Sequence, residues 1–262
     1  AAFRRMLSSP ERNDQARGHR SLAYLDLLQG HYRAAIDHLA TAVLLSRESG
    51  AGLSALRSEA LLAESYLGRG ATALASRILD QALTDSRSQY VEPVYLALLG
   101  RVLVRAGRLR DARGVLVRLE AAVKPENAVD RSARALLSAE LALARGAPDA
   151  AAEAIRNDID PYLELWRAAL TGRILAARGV LDSSLTTTAA YAREEFFGTD
   201  AQAEGVLAPL QVARLAEALG DPATARAALQ TFLDRWKDAD PDLAALRTAR
   251  VNLTRLQREA GH

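Results

Sequence analysis

Residues 69–75 read Arg69-Gly70-Ala71-Thr72-Ala73-Leu74-Ala75, and this stretch decides the fold. The glycine is flanked by apolar residues at helical spacing: Leu62, Ala63 and Tyr66 before it, and Ala75, Leu79 and Ala82 after it. The glycine ends a first helix in the left-handed conformation that a β-carbon disfavours. The small residue five positions later, Ala75, lets a second helix lie close against the first. The stretch therefore predicts a helical hairpin.

The same pattern recurs along the chain. Gly30 opens Gly30-His31-Tyr32-Arg33-Ala34-Ala35, Gly107 opens Gly107-Arg108-Leu109-Arg110-Asp111-Ala112, and Gly146 opens Gly146-Ala147-Pro148-Asp149-Ala150-Ala151. Gly179 and Gly220 complete the series, at intervals of 40, 37, 39, 33 and 41 residues. A recurrence of about this length is the mark of a repeat architecture. Pro148 and Pro222 stand where a helix begins and a missing N–H costs nothing. In the third unit the apolar positions are Leu99, Gly100 and Leu103, then Ala112, Leu116 and Leu119. In the sixth they are Val212, Ala213 and Ala216, then Ala225, Leu229 and Phe232.

These residues resemble the tetratricopeptide repeat (TPR) family over roughly residues 16–237. Units 4 and 5 depart from the pattern: Asp158 stands where a small residue is usual, and Ser184 and Thr188 replace an alanine and a bulky apolar residue. The resemblance implies an all-α, right-handed superhelix of about 13 helices, with residues 1–262 forming a single solenoid of about six repeats. Asp240-Pro241-Asp242 reads as the start of a capping helix over 241–258, and Ser9-Pro10-Glu11 as a helix start at the other end. Residues 1–7 read as a helical tail. The break between units 5 and 6 is expected at Phe197-Gly198-Thr199-Asp200. The closing stretch, from Ala213 through Trp236 to Leu243, is similar to the repeat region of bacterial Ser/Thr protein kinases of the eukaryotic type, and of some bacterial transcription regulators. Trp236 is expected to cap the last repeat core.

Composition excludes several functions. The 262 residues carry 34 basic and 32 acidic side chains, for a net charge of +2, and the two signs are interleaved. That argues against a nucleic-acid partner, which requires a basic stripe. No cysteine is present, so disulfides, thiolate nucleophiles and cysteine zinc sites are excluded. No apolar run approaches the ~20 residues a bilayer span needs. Kinase motifs and phosphate-binding glycine loops are missing. His31 and His38, with Asp37 nearby, lack the ligand count of a zinc site. Asp238, Asp240 and Asp242 imitate the opening of a calcium loop, but Leu243 replaces its turn glycine and Ala249 its closing glutamate. The Ser183 to Thr188 run has no evident partner base. The expectation is therefore no enzyme, no metal and no cofactor.

What remains is a surface. In the repeat family, ligands contact the first helix of each pair. Carried over unit by unit, the candidate positions are Arg17, Arg20, Tyr24, Arg57, Glu64, Arg101, Arg105, Glu140, Trp166, Arg173, Arg214 and Glu217. The set is rich in arginine, whose guanidinium fork suits carboxylates. The resemblance thus implies a protein or peptide partner, acidic or with a free C-terminus, recognised by a docking or sensory part of a bacterial signalling protein. The structural reading of the same set is a ladder of ion pairs between neighbouring helices, with Arg57, Glu64 and Arg101 as members. Two other functions stay open: an effector-sensing region that encloses a small molecule or peptide pheromone, and a self-assembling scaffold, for which a homo-oligomer is expected. The compartment is undetermined; a bacterial cytoplasm is slightly favoured, with the outer side of a membrane-tethered parent as the other option.

Overall fold

The computed structural model describes residues 2–157, 159–194, 198 and 202–259. All regular elements among them are helical. After a short helix α1 (Ala2–Met6) come six hairpins: α2 (Arg12–Gln29) with α3 (Tyr32–Glu48), α4 (Gly52–Gly68) with α5 (Thr72–Arg87), α6 (Pro93–Arg105) with α7 (Leu109–Ala122), α8 (Ala128–Ala144) with α9 (Pro148–Ala154), α10 (Glu164–Ala177) with α11 (Leu181–Tyr191), and α12 (Gln202–Ala218) with α13 (Pro222–Arg235). Helix α14 (Ala244–Glu259) closes the chain, and Pro161–Leu163 forms one 3-10 turn before α10. The fold is all-α as expected, with thirteen described helices of seven residues or more.

The six turn glycines all adopt the left-handed conformation, with φ between 74° and 77°. Pro148 and Pro222 are the first residues of α9 and α13. In the second, third and sixth units the residues at helical spacing are buried almost throughout; Tyr66 and Leu116 are half-buried. Small residues set the inter-helix distances. A β-carbon on Gly100 of α6 would lie 2.5 Å from a Leu137 methyl of α8. Helix α1 packs on α2 at Gly18, where a β-carbon would lie 3.0 Å from both Met6 and Leu7.

Two boundaries differ from expectation. The closing helix starts at Ala244 rather than 241, because the Asp240 and Asp242 carboxylates are engaged by arginines of the first two repeats. Helix α9 has only seven residues; the chain then turns so that the Asp160 N–H meets the Ser132 hydroxyl, 2.9 Å away. Asp158 and most of the expected 197–200 break lie outside the described residues, and the described helices on either side of that break end at Tyr191 and begin at Gln202.

The first helices of the hairpins form a continuous row. Helix α2 contacts α4, α4 contacts α6, α6 contacts α8, α8 contacts α10, and α10 contacts α12. Helix α12 then contacts α2, so the row closes on itself. One apolar core joins the chain's two ends: Tyr24, Leu27 and Tyr32 of the first repeat pack with Ala216, Phe232, Trp236 and Leu246. Trp236 is 1 % exposed, with its ring 4.6 Å from Phe232 and 5.8 Å from Tyr32. It buries the last repeat core, as expected, and also covers Gly30 of the first repeat, where a β-carbon would lie 2.9 Å from the indole.

Candidate functional site

The first-helix row places the candidate residues on its inner side, and there they engage one another. Glu204, near the start of α12, is the hub. Its Oε2 accepts from the Arg101 guanidinium at 2.7 Å and lies 3.9 Å from Arg105. Its Oε1 is 3.0 Å from Arg173 Nε. Arg105 donates to Glu64 at 2.6 Å. Arg173 donates to Glu140 at 2.6 Å, and the Trp166 indole donates to the same carboxylate oxygen at 2.8 Å. Arg101 lies over the Trp166 ring, 5.2 Å from its centroid. Three guanidiniums and three carboxylates from α4, α6, α8, α10 and α12 thus form one connected cluster.

Its electrostatics follow from burial and pairing. Burial alone would push the Glu204 carboxyl upward; Arg173, Arg101 and Arg105 overcome that and hold it well below the usual carboxylate range. Burial likewise disfavours the Arg101 cation, but Glu204, Glu64 and Glu140 outweigh it. The Tyr191 hydroxyl is pushed up by burial, then by Glu204.

The other candidates fall at the edges of this cluster. Tyr24 is buried, and its hydroxyl accepts from Arg57 at 3.3 Å. Its carbonyl accepts from the Gln202 amide, which ties α12 to α2. Arg20 reaches the Ser54 and Ser58 hydroxyls at 2.9 and 3.2 Å. Arg17 is exposed beside Asp14, 3.6 Å away. Arg214 is exposed, and Glu217 pairs with Arg255. Of the expected ladder of Arg57, Glu64 and Arg101, Glu64 and Arg101 are linked through Arg105 and Glu204, and Arg57 donates to the Tyr24 hydroxyl.

Sequence reasoning missed Glu204 and Gln202. Both lie just after the stretch where the repeat pattern lapses, so no register placed them. The available signal was the surplus of arginines at the inner positions, which required a further carboxylate. Ser184 and Thr188 were noted as departures, and Gly172 explains them. The Ser184 hydroxyl donates to the Gly172 carbonyl at 2.8 Å, and Thr188 fills the space that a β-carbon there would take.

The histidines assemble differently from expectation. Asp26, not Asp37, lies between His31 and His38, at 4.0 and 3.8 Å. His38 Nδ1 meets His19 Nδ1 at 2.9 Å, and His31 is bonded to the Asp238 carbonyl. Among the described residues no group of three His, Asp or Glu side chains is arranged to hold a metal ion. Asp240 and Asp242 bind Arg33 and Arg69 at 2.7–3.1 Å. No described helix is long and apolar enough to cross a membrane.

No protein-family model matches this chain, and no curated protein matches it.

Proposed function

We propose that this chain is a TPR-type recognition module that docks a protein or peptide partner and performs no catalysis itself. The observation that carries the reading is the seat of Glu204. Arginines from α6 and α10 converge on one carboxylate, so the first-helix face is built to accept that group. A partner with acidic side chains or a free C-terminus offers the same chemistry. Tyr24, Glu64, Arg101, Glu140 and Trp166 are buried and form the floor of this face. Contact with a partner falls to the more exposed members: Arg17, Arg105, Arg173 and Arg214. In this reading the chain is the docking or sensory part of a bacterial signalling protein.

The test is fluorescence anisotropy with a labelled acidic peptide, its amidated form and its glutamine analogue. The reading predicts saturable binding of the acidic peptide, weakened about tenfold by the double variant Arg17→Glu and Arg214→Glu, since rim charges chiefly steer association. Equal binding of the glutamine analogue, or no binding, contradicts it.

A further inference from the structure

Between α10, α11 and α12 lies a cavity of about 300 Å³, at the lower limit for small-molecule sites. Small residues make the room: Ala169 and Ala176 of α10 and Ala208 of α12 carry only a β-carbon on this wall. Its polar lining is unbalanced in hydrogen-bonding capacity. Glu204, the acidic residue of the lining, has both oxygens engaged, one by Arg101 and one by Arg173. The two arginines of the lining retain donors. Arg105 commits one terminal nitrogen to Glu64, and its Nε and other terminal nitrogen have no acceptor among the described residues. Arg173 commits one terminal nitrogen to Glu140; its other one has none, and its buried Nε faces Glu204 without hydrogen-bond alignment. A cavity with spare donors and an occupied carboxylate accommodates an acceptor. The remaining wall mixes three alanines and two leucines with Ser184, Thr188, Tyr191 and Gln211, so an apolar body would rest on the alanine and leucine side.

We infer that this cavity is a binding site for a small carboxylate with a compact apolar body, its carboxylate on Arg105 and Arg173. The cavity shares Arg105 and Arg173 with the face proposed for partner docking, but the docking test rests on Arg17 and Arg214, which do not line it, so each can fail without the other. It gives Arg105 and Arg173 a role that their ion pairs alone leave unused.

Titration calorimetry on the full chain decides it, with isovalerate, isovaleramide and inorganic phosphate as probes. The assignment predicts that isovalerate saturates below about 10 mM and that the amide binds at least tenfold more weakly. Phosphate, which has charge but no apolar body, is expected to bind as weakly as the amide. Ala176→Phe fills the cavity without touching the arginines and is expected to abolish binding. Arg105→Gln is expected to weaken it about tenfold, as loss of a charge-assisted pair does. Thermal melts confirm that each variant is folded, and Arg105→Gln decides the matter if Ala176→Phe is not. The assignment is overturned by no saturation with isovalerate, by equal binding of acid and amide, or by phosphate binding as well as isovalerate. Binding that both folded variants leave unchanged also overturns it.

Discussion

Gly30 and Gly107 share a backbone conformation, with φ of 77° and 74°, yet their surroundings differ. A β-carbon at Gly107 meets nothing within 4 Å, whereas at Gly30 it would lie 2.5 Å from Ala239 and 2.9 Å from Trp236. Gly107→Ala is therefore expected to cost about 1 kcal/mol, the left-handed strain alone. Gly30→Ala adds overpacking and is expected to cost about 1–3 kcal/mol more. Denaturant melts of the two variants measure the difference. Glu59 gives a second test at this scale. Burial raises its carboxyl to about 7, against the pull of Arg47 2.5 Å away. Because the folded state holds that proton more tightly, Glu59 stabilises the fold fully below pH ~4.5 and loses this contribution as pH rises to about 7. Glu59→Gln should flatten that segment of the stability profile, by an amount on the order of 1–3 kcal/mol. A variant with the parent's slope would show that Arg47 already compensates the charge.

At the scale of the element, each hairpin is legible from its own residues. A turn glycine, a small residue five positions on and apolar positions at helical spacing fix two helices and the face they share. That is why the six turns and nearly all the core positions of units 2, 3 and 6 were readable. The contacts that join distant elements were not, because no local periodicity encodes them. Asp240 and Asp242 read as a helix start; they are instead held by Arg33 and Arg69 from repeats far away in sequence. Trp236 read as a cap on its own repeat, and that was half of its role. Since it packs on Phe232, Tyr32 and Gly30 together, Trp236→Ala is expected to cost about 3–5 kcal/mol, the range for emptying a large aromatic site. The loss should appear as reduced protection of α2 and α3 in hydrogen exchange as well as of α13. Loss confined to α13 and α14 would place Trp236 in the last repeat alone.

For the whole molecule, the inner candidates were found by type and by position but not by partner. Glu64, Arg101, Arg105, Glu140 and Arg173 were named from the repeat register. Their common hub was not, because Glu204 lies at the start of α12, ahead of the positions Val212, Ala213 and Ala216 that set the register of that unit. The hub ties α12 to α6 and α10, and removing it would strand charge. Glu204→Ala removes the carboxylate that buried Arg101 meets at 2.7 Å, and breaking a buried ion pair costs about 3–5 kcal/mol. Calorimetric melts of that variant should show the loss; a neutral substitution would mean that Glu64 and Glu140 suffice.

Closure of the first-helix row underlies all these arguments, and the absence of native cysteine allows a clean test. Arg33, from the first repeat, and Asp242, beyond the last, are 3.0 Å apart at their charged groups. In the double variant Arg33→Cys and Asp242→Cys, a short bis-maleimide should join the two positions within a single chain, in a yield independent of protein concentration. Cross-links that form only between chains, or none while both thiols are reactive, would contradict the closed arrangement.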